Sequence, residues 1–221
     1  MYPRGQTPPW ATIGLLIVLL VSLLPAASHV PAAQATTTIL VTTTTDQVNT
    51  DGRCSLREAV IAANKDLGSS SQPGECPAGS GADVIDVPAG TYILSRSDNG
   101  NEDSSATGDL DIRGDVTIRG SGRVTIGTVS GFRDRVFHIL YGTVHISGVT
   151  ISGGSTASSG GAILNAGQLT MQQTTLSGNR ARIHGGGLAN TGTATLENVT
   201  SSGNTADRDG GGLIHSAGSL S

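Results

Sequence analysis

The chain has 221 residues, of which 32 are glycine and 3% are aromatic, so an ordinary two-layer globule with a bulky aromatic core is excluded. Its glycine and proline content stays below that of a low-complexity disordered chain, and apolar residues remain plentiful. The formal net charge of −4, with Lys65 as the single lysine, argues against nucleic acid as a partner.

The first 35 residues have the layout of a secretory signal peptide. Arg4 precedes the uncharged apolar run ATIGLLIVLLVSLL, and Ala33-Gln34-Ala35 matches an A-x-A cleavage site. The run is short for a bilayer span of about 20 residues, so we expect cleavage, with a retained anchor helix as the alternative. The mature chain would begin near Thr36 and be secreted or held at the cell surface.

Two cysteines, Cys54 and Cys76, follow in the exported part. Such a pair most often forms a disulfide in an oxidising compartment, and this one would add about 3 kcal/mol of stability in the chain-entropy model. A reactive or metal-binding thiol is the alternative, but neither cysteine has a third ligand or a histidine near it in sequence. We predict a structural disulfide.

The segment CSLREAVIAAN, Cys54 to Asn64, predicts one short helix. Ser55 is placed as its N-cap, and Glu58 completes a capping box three residues later. We expect Arg57 and Glu58 to start the polar face and Asn64 to end the helix. The predicted apolar face consists of Leu56, Ala59, Val60 and Ala63.

Strands are predicted on both sides of this helix. TTTILVTT before it reads as a first strand, and DVIDVPAGTYILS after it as two strands joined at Pro88-Ala89-Gly90. The helix would cover the first end of whatever these strands build, because an uncovered strand edge invites stacking with another molecule.

From Gly142 onward the sequence repeats with a period of about 25 residues. Apolar residues alternate within each row, as in Val144 and Ile146, and glycine pairs or Ser-Gly-Asn separate the short runs. The polar columns of the repeat are Thr125, Thr150, Thr175 and Thr200, then Asn179 and Asn204, then Asn165, Asn190 and His215. The apolar columns are Ile126, Ile151 and Leu176, and Val124, Val149 and Val199.

A row of about three short strands and three turns is one circuit of a coil, and stacked circuits place equivalent residues about 4.8 Å apart. We therefore predict an all-β fold, a right-handed parallel β-helix with an N-terminal capping helix. Residues 1–35 would be the signal peptide, 36–110 the cap region and 111–221 the coils. We expect positive φ at Gly186-Gly187 and Gly211-Gly212, and Arg182 above Asp207.

The final row is incomplete at Ser221, so we expect a truncated product that has lost further coils and an anchor, and a monomer. Membrane contact would come only from the signal peptide or that missing C-terminal anchor.

The CSLREAVIAAN segment resembles the CSLREA-type N-terminal region of secreted bacterial β-helix proteins. VIDVPAGTYIL, GDLDI, VTIRG and DRVFHI resemble the segments that follow it there. The rows GGAILNAGQLTM and GGGLANTGTATLENVTSSGNTA are similar to the GGA[ILV] repeats of polymorphic outer-membrane proteins. The resemblance covers about residues 40–221 and implies an exported, elongated, surface-attached or released protein, but it implies no reaction.

Catalytic chemistry has weak support in the sequence. No two acids of the repeat rows stand one period apart, which argues against a carboxylate cleft. Ser159, His184 and Asp209 do stand in one column, but parallel side chains do not converge as a triad requires. We predict no catalytic residues, and a turn for this column.

The acidic segment between Asp98 and Asp115 is rich in oxygen ligands and glycine, which suits calcium, although its spacing does not match the twelve-residue calcium loop. Calcium and a solvated loop both stay open as interpretations. No other cofactor is expected.

The sequence thus favours a non-catalytic adhesin, stalk or passenger domain whose partner is a surface glycan or another cell-surface component. The first alternative is a carbohydrate-active β-helix enzyme, either a polysaccharide lyase or a hydrolase. The second is a protein that binds glycan or ice through its repetitive threonine face.

Overall fold

The computed structural model describes residues 36–70, 74–97 and 102–221. The predicted signal peptide lies outside them, as does Asp98. Within the described ranges, no helix combines the length and the apolar character that a membrane crossing requires.

The described chain contains one α-helix and seventeen short or bent strands, in agreement with the strand-rich sequence pattern. The helix is α1, Leu56–Lys65. The strands are β1 Thr38–Leu40, β2 Asp83–Leu94, β3 Leu110–Arg113, β4 Val116–Thr128, β5 Phe137–Tyr141, β6 Thr143–Ser152, β7 Ser155–Thr156, β8 Ile163–Asn165, β9 Gln168–Gln172, β10 Thr175–Ser177, β11 Arg180–Ala181, β12 Leu188–Asn190, β13 Thr193–Glu197, β14 Thr200–Ser202, β15 Thr205–Ala206, β16 Leu213–His215 and β17 Ser219–Leu220.

These strands form three parallel sheets that run along a common coil. The largest follows the order β1-β2-β4-β6-β9-β13-β17, with β10 paired to β6 and β14 paired to β10. The second runs β3-β5-β8-β12-β16 and the third β7-β11-β15. Each strand pairs with the equivalent strand of the next circuit, so the chain is a parallel β-solenoid of about four turns. The predicted parallel β-helix is confirmed.

The 25-residue period holds in the later coils and in part of the circuit before them, where Val124 pairs with Val149 and Thr125 with Thr150. Thr150 pairs with Thr175 and Thr175 with Thr200. In the earlier coils Val116 pairs with Val144, which is a longer interval, and the register shifts again between Arg119 and Val124. The 25-residue period is therefore regular from Gly142 onward and only partly kept before it.

The long strands of the first coils bend instead of ending. The predicted pair of strands at Pro88-Ala89-Gly90 is one strand, β2, with a register shift between Pro88 and Gly90. A shift of this kind bends a strand while its pairing continues on both sides. The equivalent bend in the later coils is a break between β9 and β10, and between β13 and β14.

The interior is a stack of aliphatic side chains. Ile126 and Ile151 are fully buried and Leu176 nearly so, and Ser201 continues their column at an exposed position. Val124 and Val149 form the second column, in which the next member, Thr174, is also buried. Burial of this aliphatic core stabilises the fold by about 25 cal/mol per Å² of apolar surface removed from water.

The glycine pairs do not have the predicted backbone conformation. Positive φ occurs one residue earlier, at Gly185 and Gly210. Gly186 and Gly187 are required for a different reason: a Cβ at either would collide with backbone oxygens of the next circuit. Close contact between circuits, not a left-handed turn, explains these two glycines.

Candidate functional site

The N-terminal cap is built around α1 and the disulfide. Cys54 and Cys76 are bonded, with their Cα atoms 4.7 Å apart, which confirms the predicted disulfide. The Ser55 hydroxyl accepts from the amide of Glu58 at 3.1 Å, and the Glu58 carboxylate accepts from the amide of Ser55 at 2.9 Å. The structure thus forms both halves of the capping box. The helix runs to Lys65, with Asp66 in the left-handed region, so Asn64 does not end it.

Arg57 lies in the interior, and its predicted place on a polar helix face was wrong. Its side chain is fully buried, and Glu58 is buried as well. The guanidinium donates to backbone oxygens in the segment before β3 and pairs with Asp46, Nε to Oδ1, at 2.6 Å. Its backbone acceptors are Ser105 at 3.0 Å, Gly108 at 2.8 Å, and Thr107 and Asp109 at 3.3 Å.

This arrangement joins three distant parts of the chain: the segment before α1, α1 itself and the segment 102–109. Burying the guanidinium is costly unless every donor has a partner, and the carbonyl oxygens supply those partners. The only sequence signal for it was an arginine among the small apolar residues of the helix. That signal did not identify acceptors about 50 residues downstream.

Asp46, the partner of Arg57, has a lowered pKa. Burial is the largest single influence and acts to raise the pKa of this carboxyl. The hydrogen bond and charge of Arg57 and the hydrogen bonds from the amides of Ser95 and Arg96 together outweigh it. The ionised form is therefore the one that the fold stabilises.

Asn64 completes the attachment of α1 to the coils. Its amide nitrogen donates to the carbonyl of Asp111 at 2.7 Å, and its amide oxygen accepts from the amide of Arg113 at 2.9 Å. Both acceptor and donor belong to β3, so the side chain continues the edge of that strand. The apolar helix residues Leu56, Ala59 and Val60 are buried against the first coil, while Ala63 is half-buried.

A group of acidic side chains lies where the acidic segment meets the second sheet. Asp109 and Asp111 are both buried, and the amide of Asp109 donates to Asp134 at 3.3 Å. Arg135 pairs with Asp109, Nη1 to Oδ2, at 2.9 Å. Asp109 and Asp134 stand one 25-residue period apart. The sequence reading missed this pair because Asp109 precedes the rows in which the repeat is evident.

The pKa of Asp109 is raised to about 8. Burial is the largest cause, and the negative charges of Asp111 and Asp134 act in the same direction. The ion pair with Arg135 opposes them without cancelling them. A protonated Asp109 is therefore the form favoured at neutral pH.

Asp103, Asp111 and His138 form the acid–histidine cluster, the group that best resembles a ligand site. One potential ligand atom from each residue lies within 4.8 Å of the other two. Asp111 on β3 and His138 on β5 are direct neighbours in the second sheet, and His138 Nδ1 lies 3.3 Å from Asp111 Oδ1. Asp103 comes from the segment before β3, with Oδ1 3.8 Å from the same nitrogen.

The sequence reading placed oxygen ligands in this region but missed the histidine. His138 lies 23 residues beyond Asp115, the end of the acidic segment, and nothing in its spacing links it to Asp111. Only the pairing of β3 with β5 brings the two together. Asp98, the start of the predicted calcium region, lies outside the described residues.

The asparagine columns form buried amide ladders inside the coil. Asn179 donates to Asn204 Oδ1 at 2.9 Å and to the carbonyl of Ile151 at 3.1 Å, and it accepts from the amide of Gly154 at 3.0 Å. Every polar group of this buried amide is paired across three successive circuits. These residues therefore stabilise the stack and are not open to a ligand.

A second ladder runs along the second sheet. Asn165 donates to Asn190 Oδ1 at 2.6 Å, and Asn190 Nδ2 lies 3.0 Å from His215 Nδ1. Asn165 and Asn190 are fully buried. The substitution of His215 for a third asparagine keeps a polar neighbour at the same position.

The threonine column lies on the outside of the largest sheet. Thr125, Thr150, Thr175 and Thr200 pair in register, half-buried in the first three positions and exposed in the last. A parallel column, His145, Thr170 and Thr195, runs beside it. The two columns give this sheet a regular polar exterior, named here the polar face: His145, Thr150, Thr170, Thr175, Thr195 and Thr200.

The Ser159, His184 and Asp209 column does not assemble a triad in the described structure. His184 and Asp209 form a β-bridge, and their side chains approach to 3.1 Å, Nδ1 to Oδ2. Ser159 makes no hydrogen bond to the His184 side chain within the described part of the chain; its neighbour Gly160 donates an amide to the His184 carbonyl instead. Neighbours in register, not converging catalytic groups, account for this arrangement.

The ion pair expected between Arg182 and Asp207 forms with a different arginine. Asp207 Oδ1 lies 2.7 Å from Arg180 Nη2, and both side chains are largely exposed. Arg180 is two residues closer to the chain start, so its long side chain reaches diagonally across the strands to Asp207.

A surface depression of about 420 Å³ lies beside α1. Val48, Ile61 and Leu67 supply its apolar part, and Asn49 and Glu58 are among its polar lining residues. The Glu58 oxygens already accept from the amides of Ser55 and Asn49.

No protein-family model, no curated protein and no solved structure matches this chain. The assignment of the fold class and of the acid–histidine cluster therefore depends on the geometry of this chain alone.

Proposed function

We propose that this chain is a non-catalytic, secreted or cell-surface β-helix that acts as an adhesin, stalk or passenger domain. The observation that carries the proposal is the polar face, in which equivalent residues of successive circuits repeat in register along the largest sheet. A rigid surface with a repeated pattern of hydroxyl groups suits contact with an extended, repetitive partner such as a surface glycan.

The interior supports a mechanical role. An aliphatic stack of Ile126, Ile151 and Leu176 runs along the coil, and amide ladders join Asn165 to Asn190 and Asn179 to Asn204 in the later circuits. Each circuit contacts only its neighbours, so a longer coil would extend the same surface without altering it. This property, a coil that can be lengthened without changing its surface, suits an elongated stalk.

The resemblance of CSLREAVIAAN to the CSLREA-type region of secreted bacterial β-helix proteins supports export and surface display. The burial of Arg57 and Glu58 gives this motif a physical meaning: Arg57 attaches the cap to the segment before β3, and Glu58 fixes the start of α1 by accepting from the amide of Ser55. The resemblance of the later rows to repeats of polymorphic outer-membrane proteins points in the same direction.

The enzyme alternative has less support. A carboxylate site for a polysaccharide needs acids that a polymer chain can reach. Asp109 and Asp111 are buried beneath the segment 102–108, and Asp109 is already paired with Arg135. Only Asp103 of this group is exposed.

Adhesion is tested with the purified chain on glycan arrays and on cell surfaces. Thr170→Arg with Thr195→Arg places two bulky cations on the polar face, and we expect at least tenfold weaker binding. The matched control is Ser155→Arg with Thr205→Arg, which changes the two residues that pair with Arg180 on either side of it in the third sheet. Equal loss in both double variants, or no binding by the parent chain, contradicts the adhesive proposal.

Catalysis and export are tested separately. Release of unsaturated or reducing sugar from pectin or alginate, with calcium present, would favour the enzyme alternative.

Export is tested by N-terminal sequencing of the exported chain, which we expect to begin at Thr36. A chain that stays in the cytoplasm with Met1 intact would contradict surface display.

A further inference from the structure

We propose that Asp103, Asp111 and His138 bind one divalent transition-metal ion, with zinc as the best match. The three residues come from adjacent positions in space and supply two carboxylates and one imidazole. The site lies outside the polar face and does not depend on adhesion.

The second observation is an orphaned atom. Asp111 Oδ1 is buried and makes no hydrogen bond within the described part of the chain. Its partner oxygen, Oδ2, accepts from the amide of Ser105 at 3.1 Å, so the carboxylate is held with Oδ1 directed towards His138. A buried carboxylate oxygen without a donor is costly, and a bound cation removes that cost.

The distances fit a small tetrahedral ion. Ligands about 2.0 Å from zinc lie about 3.3 Å from one another. His138 Nδ1 and Asp111 Oδ1 are 3.3 Å apart, which matches one edge of that tetrahedron. Asp103 Oδ1 is 3.8 Å from the same nitrogen, somewhat longer than a second edge, and its side chain is 48% exposed. The ligand atoms of all three residues lie within 4.8 Å of one another. Water would supply the fourth ligand.

The ligand types select the ion. Imidazole nitrogen suits zinc and its neighbours in the first transition row, whereas calcium prefers six to eight oxygen ligands. Two carboxylates and one nitrogen therefore favour zinc over the calcium that the acidic segment alone suggested.

The positive groups around the cluster leave room for the ion. Arg113 approaches Asp103 only to 3.8 Å, Nη2 to Oδ2, with both side chains partly exposed. Arg135 is engaged by Asp109, and Arg57 is engaged by Asp46 and by backbone carbonyls. None of these cations makes a hydrogen bond to Asp111 Oδ1.

The ion would also hold the cap. The segment that carries Asp103 contributes the carbonyls of Ser105, Thr107 and Gly108 that accept from Arg57. Tying Asp103 to β3 and β5 restrains that segment, and with it the attachment of α1. Metal binding should therefore slow the opening of the cap as well as raise the melting temperature.

The test is titration of the purified chain, without an affinity tag and stripped with EDTA, against zinc, manganese and calcium. We expect one zinc per chain by calorimetry, a higher melting temperature with zinc, and the visible absorption of tetrahedral cobalt when Co²⁺ is the probe. His138→Gln and Asp111→Asn should each weaken zinc binding by about 100-fold or more, and Asp103→Asn less.

The matched control is His184→Gln, which removes a histidine that also lies beside a carboxylate, that of Asp209. It should leave zinc binding unchanged. Circular dichroism in EDTA identifies any variant that fails to fold, and the cobalt spectrum of the parent chain does not depend on variants. Absence of stoichiometric zinc or cobalt binding, retention of binding in His138→Gln, or preference for calcium would overturn the proposal.

Discussion

Arg57 and Asp46 form an ion pair that is almost wholly removed from solvent: Nε and Oδ1 are 2.6 Å apart, and the side chains are 0% and 2% exposed. A pair in this setting is stabilising only when the remaining donors are also satisfied. The carbonyls of the segment before β3 satisfy them, so the pair connects the cap to the first full coil.

Replacing Arg57 with alanine should therefore lower the stability of the chain strongly. Asp46 would keep a buried charge without its partner, and we expect a loss of about 3–5 kcal/mol in the free energy of unfolding. Denaturant unfolding followed by circular dichroism measures it. The matched control is Arg119→Ala, whose pair with Asp86 is open to solvent and should contribute little. Similar losses in the two variants would contradict the role given to Arg57.

Asp109 should make stability fall as pH rises. Its pKa is about 8 in the folded chain, raised first by burial and then by Asp111 and Asp134, against an ordinary value of 3.8. Between these values the folded chain holds a proton that the unfolded chain has released. The contribution is therefore fully present below about pH 4 and is lost as pH rises through about 8.

The measurement is the free energy of unfolding in EDTA at several pH values across that window. Asp109→Asn keeps an acceptor for Arg135 and cannot titrate, so it should flatten the slope. An unchanged slope in this variant would assign the pH dependence to another group.

Removing the disulfide should loosen the cap before the coils. Cys54→Ser with Cys76→Ser releases a loop with a sequence separation of 22, and we expect a loss of about 3 kcal/mol. Hydrogen exchange should accelerate in α1 first and later in β9 and β13, because those strands are paired on both sides. Simultaneous acceleration in the helix and in these strands would argue against a separately opening cap.

Replacing Asn179 should lower the stability of the chain more than replacing an exposed residue that also bonds to the next circuit. Alanine at this position leaves the amide of Gly154 and the carbonyl of Ile151 without their partners in the interior, which should cost about 2–4 kcal/mol. Gln172→Ala breaks an exposed side-chain bond to Glu197 and is the matched control. Thermal unfolding distinguishes them, and a control variant as unstable as Asn179→Ala would show that burial is not the deciding factor.

The coil was predictable because the sequence pattern that produces it is local and repeats along the chain. A period of 25 residues with alternating apolar positions can be satisfied only if equivalent residues stack, and Thr150, Thr175 and Thr200 do so. The capping box and the disulfide were also readable, since Ser55 and Glu58 are neighbours in sequence and only two cysteines exist to pair.

The site depended on contacts that no local pattern encodes. The first coils differ in length, so the sequence does not reveal that Asp111 and His138 are neighbours on β3 and β5. Arg57 likewise reads as a surface residue until the segment around Gly108 folds over it. The sequence by itself determined the repeating backbone, because each circuit imposes its own period on the next. The tertiary structure alone decided which charged groups are buried together, because that depends on where loops of unequal length return to the coil.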